Sequence, residues 1–298
     1  MAGSADDASR GATGDPARTG RVGVPEQATI GWSGRLVAWG NAYLAGLYPM
    51  SEVRAAVEAG ADSVAMRHPP GDWRTWLETL TASDLGAHGW LRLALPVAGD
   101  LAELRGDRAL TDAALAAGEA VLAANQALVP EVATYGPPGD VGVAVVWSRH
   151  ERLEGPAPTT SVGQADRRLA TAVIEAADRL QALDVADFLP LPESPHPSGG
   201  TGAGRGSGAG YRASPRRAAS PRPSGDHDLL LPGVYPHRAQ VLATRSARMR
   251  QIVATAAAGD GGALTVATST ARSGVLRDLE AAAREGIVAA CQALAEGN

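Results

Sequence analysis

Few side chains in this sequence combine the type and the spacing that a reaction requires. All 27 basic residues are arginine, because the chain contains no lysine. That excludes a Schiff base, the phosphate-gripping lysine of a Walker A loop and the strand lysine of a protein kinase. The single cysteine, Cys291, excludes an intrachain disulfide and any zinc or iron–sulfur centre that needs several thiolates from this chain. Near the end of a helical pattern it reads as a small core hydrophobe.

The nearest matches to catalytic motifs fail on spacing. A nucleophile elbow needs G-x-S-x-G at a strand-to-helix turn. Gly31-Trp32-Ser33-Gly34 stops short of it at Arg35, and Ser33 reads as a helix cap. His150-Glu151 lacks the second histidine of a zincin helix. The glycines from Gly202 to Gly210 close no G-x-G-x-x-G, and no strand precedes them. Asp226, His227, Asp228 and His237 could gather around a metal, but they flank a low-complexity segment, so no metal site is assigned. Asp112 and Glu119 stand seven apart on one expected helix and read as a solvated face opposite an Ala/Leu stripe.

The elements that would position a site follow from periodicity. A helix is expected over 34–48, capped by Ser33 and stopped by Pro49, with a second short helix capped by Ser51. Strands are expected at 62–67, 89–95, 129–135 and 141–147, with helices at 72–82 and 109–125 between them. Gly136-Pro137-Pro138-Gly139-Asp140 is a strong turn, so the last two strands should pair antiparallel, and Pro130 predicts a free or irregular side to its strand. The order β-α-β-α-β-β implies an α/β (α+β) fold: a small mixed sheet with right-handed crossovers for the first three strands and helices packed around it. An N-terminal helical hairpin precedes the sheet and a C-terminal helical pair follows it. A helix over 162–185 opens on Ser161 and Gln164 as a capping box and could pair Glu175 with Arg179.

That topology points to a place, not to a reaction. Ligands in open parallel sheets favour the loops beyond the strand C-terminal ends. Here those carry His68, Asp100, Arg105, Arg108 and Tyr135, which would suit a small anion or polar ligand.

Composition divides the chain. Residues 1–28 read as a disordered tail, 29–191 as the α/β domain, 192–228 as a disordered Gly/Ser/Pro/Arg linker, and 229–298 as helices packing on the first domain. Helices are expected there over 237–258 and 273–295, with Leu276, Leu279, Ala283, Ile287, Ala290 and Leu294 along one face of the last. Gly286 would allow another element to approach closely, and Arg245 either snorkels to water from the margin of the preceding helix's stripe or is buried against a first-domain carboxylate that fixes the docking. No apolar run is long enough to span a bilayer and no secretory leader is visible, so a cytoplasmic location is expected. The formal net charge of −5 gives no specific nucleic-acid or membrane signal.

Arg35-Leu-Val-Ala-Trp-Gly-Asn-Ala-Tyr-Leu-Ala-Gly46, Leu91-Arg-Leu-Ala-Leu-Pro96 with Gly99-Asp100, and Glu119-Ala-Val121 resemble a family of uncharacterised actinobacterial proteins. The resemblance covers about 30–190 and, more loosely, the C-terminal helices. It implies a bacterial cytosolic setting and brings no catalytic residue and no cofactor. The expected function is that of a non-catalytic interaction or regulatory protein, with a partner on the C-terminal helices or the linker. The alternative is a small-molecule-binding or enzymatic α/β domain using the strand-end loops.

Overall fold

A computed structural model describes residues 30–68, 71–137, 140–155, 160–183, 230–259 and 266–294. The expected tail and linker, and the Asp226-His227-Asp228 cluster, lie outside the described residues. The elements run α1 (Gly31–Leu44), α2 (Met50–Val57), β1 (Ser63–His68), α3 (Trp73–Glu78), α4 (Ala82–Leu85), β2 (Arg92–Ala94), α5 (Arg108–Ala117), β3 (Ala120–Leu122), β4 (Gln126–Tyr135), β5 (Gly142–Glu151), α6 (Val162–Ala182), α7 (His237–Ala258) and α8 (Val266–Gln292). The class is α+β with an open mixed sheet, and no described helix is long and apolar enough to cross a membrane.

The sheet order is β1-β5-β4-β3-β2. The β4–β5 hairpin forms as expected, in register from Gln126–Glu151 to Tyr135–Gly142. The parallel crossovers do not form. Only β1 and β5 run parallel, while β2–β3, β3–β4 and β4–β5 are antiparallel. The cause lies at Gly118. Its φ of +74° ends α5 at Ala117, and Ala120–Leu122, expected as helix, becomes a strand. The inserted strand separates β2 from β4, which point the same way without pairing, while β1 pairs with β5 at the far edge and runs opposite to both. β3 meets β4 only at Val121–Leu128 and Leu122–Ala127, so from Val129 onward β4 has β5 alone as partner. Pro130, opposite Trp147, sits where that second side is free.

Side chains alternate across the sheet. Ala94, Ala120, Leu122, Ala127 and Val129 face α5 through Leu110 and Ala114. Leu93, Val121, Leu128, Val145 and Trp147 face α1, with Leu36, Val37 and Trp39. Helices α6, α7 and α8 pack together beyond α1, and α8 also lies along β2. Tyr235, ahead of α7, fixes this layer: its buried hydroxyl is 3.0 Å from the carbonyls of both Ala38 and Cys291. Cys291 is fully buried, as its apolar reading required.

Four local expectations are corrected. Ser33 lies inside α1, its Oγ buried without a partner; α1 is capped instead by Glu119, which accepts from the Trp32 and Ser33 N–H groups at 3.1 and 3.0 Å. Glu119 therefore does not share a solvated face with Asp112. Pro49, not Ser51, occupies the cap of α2. Arg179 pairs with Asp278 of α8, not with Glu175. Arg245 does pair with a carboxylate outside its own helix, Asp166 of α6 at 2.6 Å, but both side chains are about half exposed. Its position at the edge of the α7 stripe lets the head reach water, so the pair is not buried.

Candidate functional site

A cleft of about 420 Å³ opens between the β2 edge, the loop that follows it, the start of α6, and α8. Its apolar side is short-chained, from Leu93 and Leu95 to Ala282 and Val288. Its polar side is a set of ion pairs.

The loop after β2 is shaped by a tight reversal. Val97 and Asp100 exchange backbone hydrogen bonds at 2.8 and 2.9 Å around Gly99, whose φ of +89° suits glycine. Asp100 then accepts from the Ala102 N–H at 3.0 Å, and Ala102 itself has φ +52°. This brings Asp100 and Glu103 to the cleft. Arg284 of α8 crosses to meet them. Its Nη1 donates to the Leu95 carbonyl at 2.7 Å and its Nη2 to Asp100 at 3.0 Å. Burial raises the Asp100 carboxyl, but the hydrogen bonds from Ala102 and Arg284 outweigh it and hold the group below its ordinary value. At the other wall, Glu285 accepts from Thr160 at 2.8 Å and from Arg168. Glu103 pairs with Arg92; burial pushes its carboxyl up, against the pull of Arg92 and Arg152.

Two donors lining the cleft are left over. The Nε of Arg284 and the Nε2 of Gln292 are buried with no hydrogen-bond partner. The two residues lie on one face of α8, two turns apart. Buried donors without acceptors are uncommon and costly, and a ligand oxygen is one way to satisfy them.

Of the residues expected to converge, Asp100 alone lines this cleft. His68 ends β1, at the sheet edge opposite β2. Tyr135 ends β4, half exposed, with its ring against Gly142. Arg108 starts α5 and pairs in solvent with Asp112 at 3.2 Å. Arg105 is exposed, and its carbonyl accepts from the Leu153 N–H at 2.8 Å. β1 runs opposite to β2 and β4, so His68 lies at the other end of the sheet, and Tyr135 ends a strand that β3 separates from β2. The sequence reading missed Arg284, Glu285, Gln292, Thr160, Arg168 and Glu103. The one signal was a charged residue, Arg284, directly after Ala283 in the apolar stripe of α8. Among the described residues no group of three His, Cys, Asp or Glu side chains is placed to hold a metal.

Residues 33–162 match the family described as Rv1486c-like protein, N-terminal domain. Residues 201–288 match Rv1486c-like protein, C-terminal domain. No curated protein and no solved structure matches the chain.

Proposed function

The chain belongs to the Rv1486c-like protein family, and for it we propose a small-molecule-binding role without catalysis, centred on the cleft beneath α8. The observation that carries this reading is the pair of unpartnered buried donors, on Arg284 and Gln292, in the wall of a cavity of metabolite size. The charged groups are already tied to one another: Arg284 to Asp100, Arg168 to Glu285, Arg92 to Glu103. Such pairs neutralise the wall and leave no free base there. The ligand that fits is uncharged or zwitterionic, with acceptor oxygens for the donors and an apolar face for Leu93, Leu95 and Val288. A regulatory use, in the cytoplasm of an actinobacterial cell, belongs to the same proposal.

The test is a thermal-shift screen of a polar metabolite library on the full-length protein and on Ala282→Trp, which fills the cleft. Compounds that raise the melting temperature of the parent chain and not of Ala282→Trp support the reading. It fails if no compound acts on the parent chain, or if every hit acts equally on the filled variant.

A second reading, a protein-interaction module, is favoured by the far end of the β4–β5 hairpin. Val132, Tyr135 and Val141 are each 44–51% exposed there. The apolar stripe of α8, by contrast, is spent on the protein's own core.

A further inference from the structure

Arg152, just past β5, is 5% exposed. Its backbone N–H donates to the Asn125 carbonyl at 3.0 Å. One arm of its guanidinium is anchored: Nη1 donates to the carbonyls of Ala123 and Ala124 in the β3–β4 turn. The other edge is not. Nε and Nη2 are both buried with no hydrogen-bond partner. These two N–H groups lie side by side in the guanidinium plane and form the fork that grips two oxygens of a carboxylate or phosphate. A buried fork left empty is a costly arrangement, and a second one is not found among the described residues.

The surroundings favour an anion. Arg92, also 5% exposed, and Arg105 both act on Arg152, while Glu103 and Glu154 are the carboxylates near enough to matter. Three arginines thus stand against two carboxylates, and both carboxylates are engaged elsewhere. Glu103 is held by Arg92, and Glu154 accepts from the Ala87 N–H at 3.2 Å. Burial, then the neighbouring Arg92 charge, brings the Arg152 guanidinium down to about 10. Arg105 lies against Gly155, where a Cβ would meet its Cδ at 3.0 Å, and Glu154 is exposed. Exposed side chains such as these rearrange on the nanosecond scale.

We propose that Arg152, with Arg92 and Arg105 beside it, is an oxyanion-binding site separate from the α8 cleft, built for the two adjacent oxygens of a carboxylate or phosphate group. Glu103 stands between the two places, since it lines the cleft and pairs with Arg92.

The test is calorimetric titration of full-length protein with inorganic phosphate and, separately, with acetate, at constant ionic strength set by chloride. Saturable binding of one anion per chain is expected. Phosphate alone would assign a phosphate or phosphoester, and acetate alone a carboxylate. Arg152→Lys keeps the charge and loses the fork, so binding should weaken about tenfold or more, while Glu103→Gln, which removes a competing carboxylate, should tighten it. Ala282→Trp should leave it unchanged. No saturable binding of either anion, undiminished binding in Arg152→Lys, or loss in Ala282→Trp would each overturn the site. If Arg152→Lys does not fold, crystals of the parent chain soaked in selenate decide. Anomalous density within hydrogen-bond reach of Arg152 Nε and Nη2 supports the proposal, and its absence there refutes it.

Discussion

Asn41 and Leu91 bind each other as two strands would. The Asn41 Nδ2 donates to the Leu91 carbonyl, and the Leu91 N–H donates to the Asn41 Oδ1, both at 2.9 Å and both buried. A side chain of α1 thus completes the backbone pairing of the residue that leads into β2, and sets the edge against which the cleft is built. Asn41→Ala would leave a donor and an acceptor unsatisfied in the core. The expected cost is on the order of 3 kcal/mol, read as a lower urea midpoint with an unchanged slope. A loss under about 0.5 kcal/mol would mean that water replaces the amide.

Glu119 makes stability depend on pH. Burial pushes its carboxyl from the ordinary 4.5 up to about 7, against the pull of the Ser33 and Trp32 N–H groups. A raised folded value means that the native state holds its proton longer than the unfolded chain. The contribution is therefore complete below pH 4.5 and is lost as pH rises through about 7. Glu119→Gln should remove this dependence while keeping an acceptor at the start of α1. Thermal unfolding from pH 4.5 to 8 checks it: parallel curves for the two proteins would refute the assignment.

Gly286 and Ser246 are in contact across α7 and α8. A Cβ on Gly286 would stand 2.2 Å from the Ser246 Oγ and 3.3 Å from a Leu242 methyl. Gly286→Ala should destabilise by roughly 1–3 kcal/mol through overpacking. Ser246 Oγ is buried without a partner, so Ser246→Ala should be neutral or mildly stabilising. The double variant should recover much of the loss. Simple additivity in chemical denaturation would show that the oxygen is not the obstacle.

The arginines of α7 should differ. Arg245 meets Asp166 with both side chains about half exposed, so Arg245→Ala should cost under about 1 kcal/mol. Arg250 meets Glu280 of α8 at 2.8 Å in a more enclosed setting. Its loss should cost about 1–2 kcal/mol. Equal melting temperatures for the two alanine variants would contradict this ranking.

The sequence disclosed most of the elements and little of their arrangement. Periodicity located α5, α6, α7 and the long hairpin because each buries one continuous face. It merged α5 with β3, since Ala120, Val121 and Leu122 suit a helix or a strand, and only Gly118 marks the boundary. That merger hid the strand that lies between β2 and β4. Asp100 lines the cleft because the tight turn at Gly99 brings it there. Glu119 could not be recognised as a cap: it serves backbone groups 86 and 87 positions away, and no local pattern encodes that. Arg284 was hidden for the same reason, its partners being fixed only when the last long helix meets the sheet edge.

The bond from Arg284 to the Leu95 carbonyl spans 189 positions. A chain whose five strands have all been synthesised still lacks α8, and with it one wall of the cleft. The β2 edge and the loop after it therefore precede, in the order of synthesis, the helix that covers them.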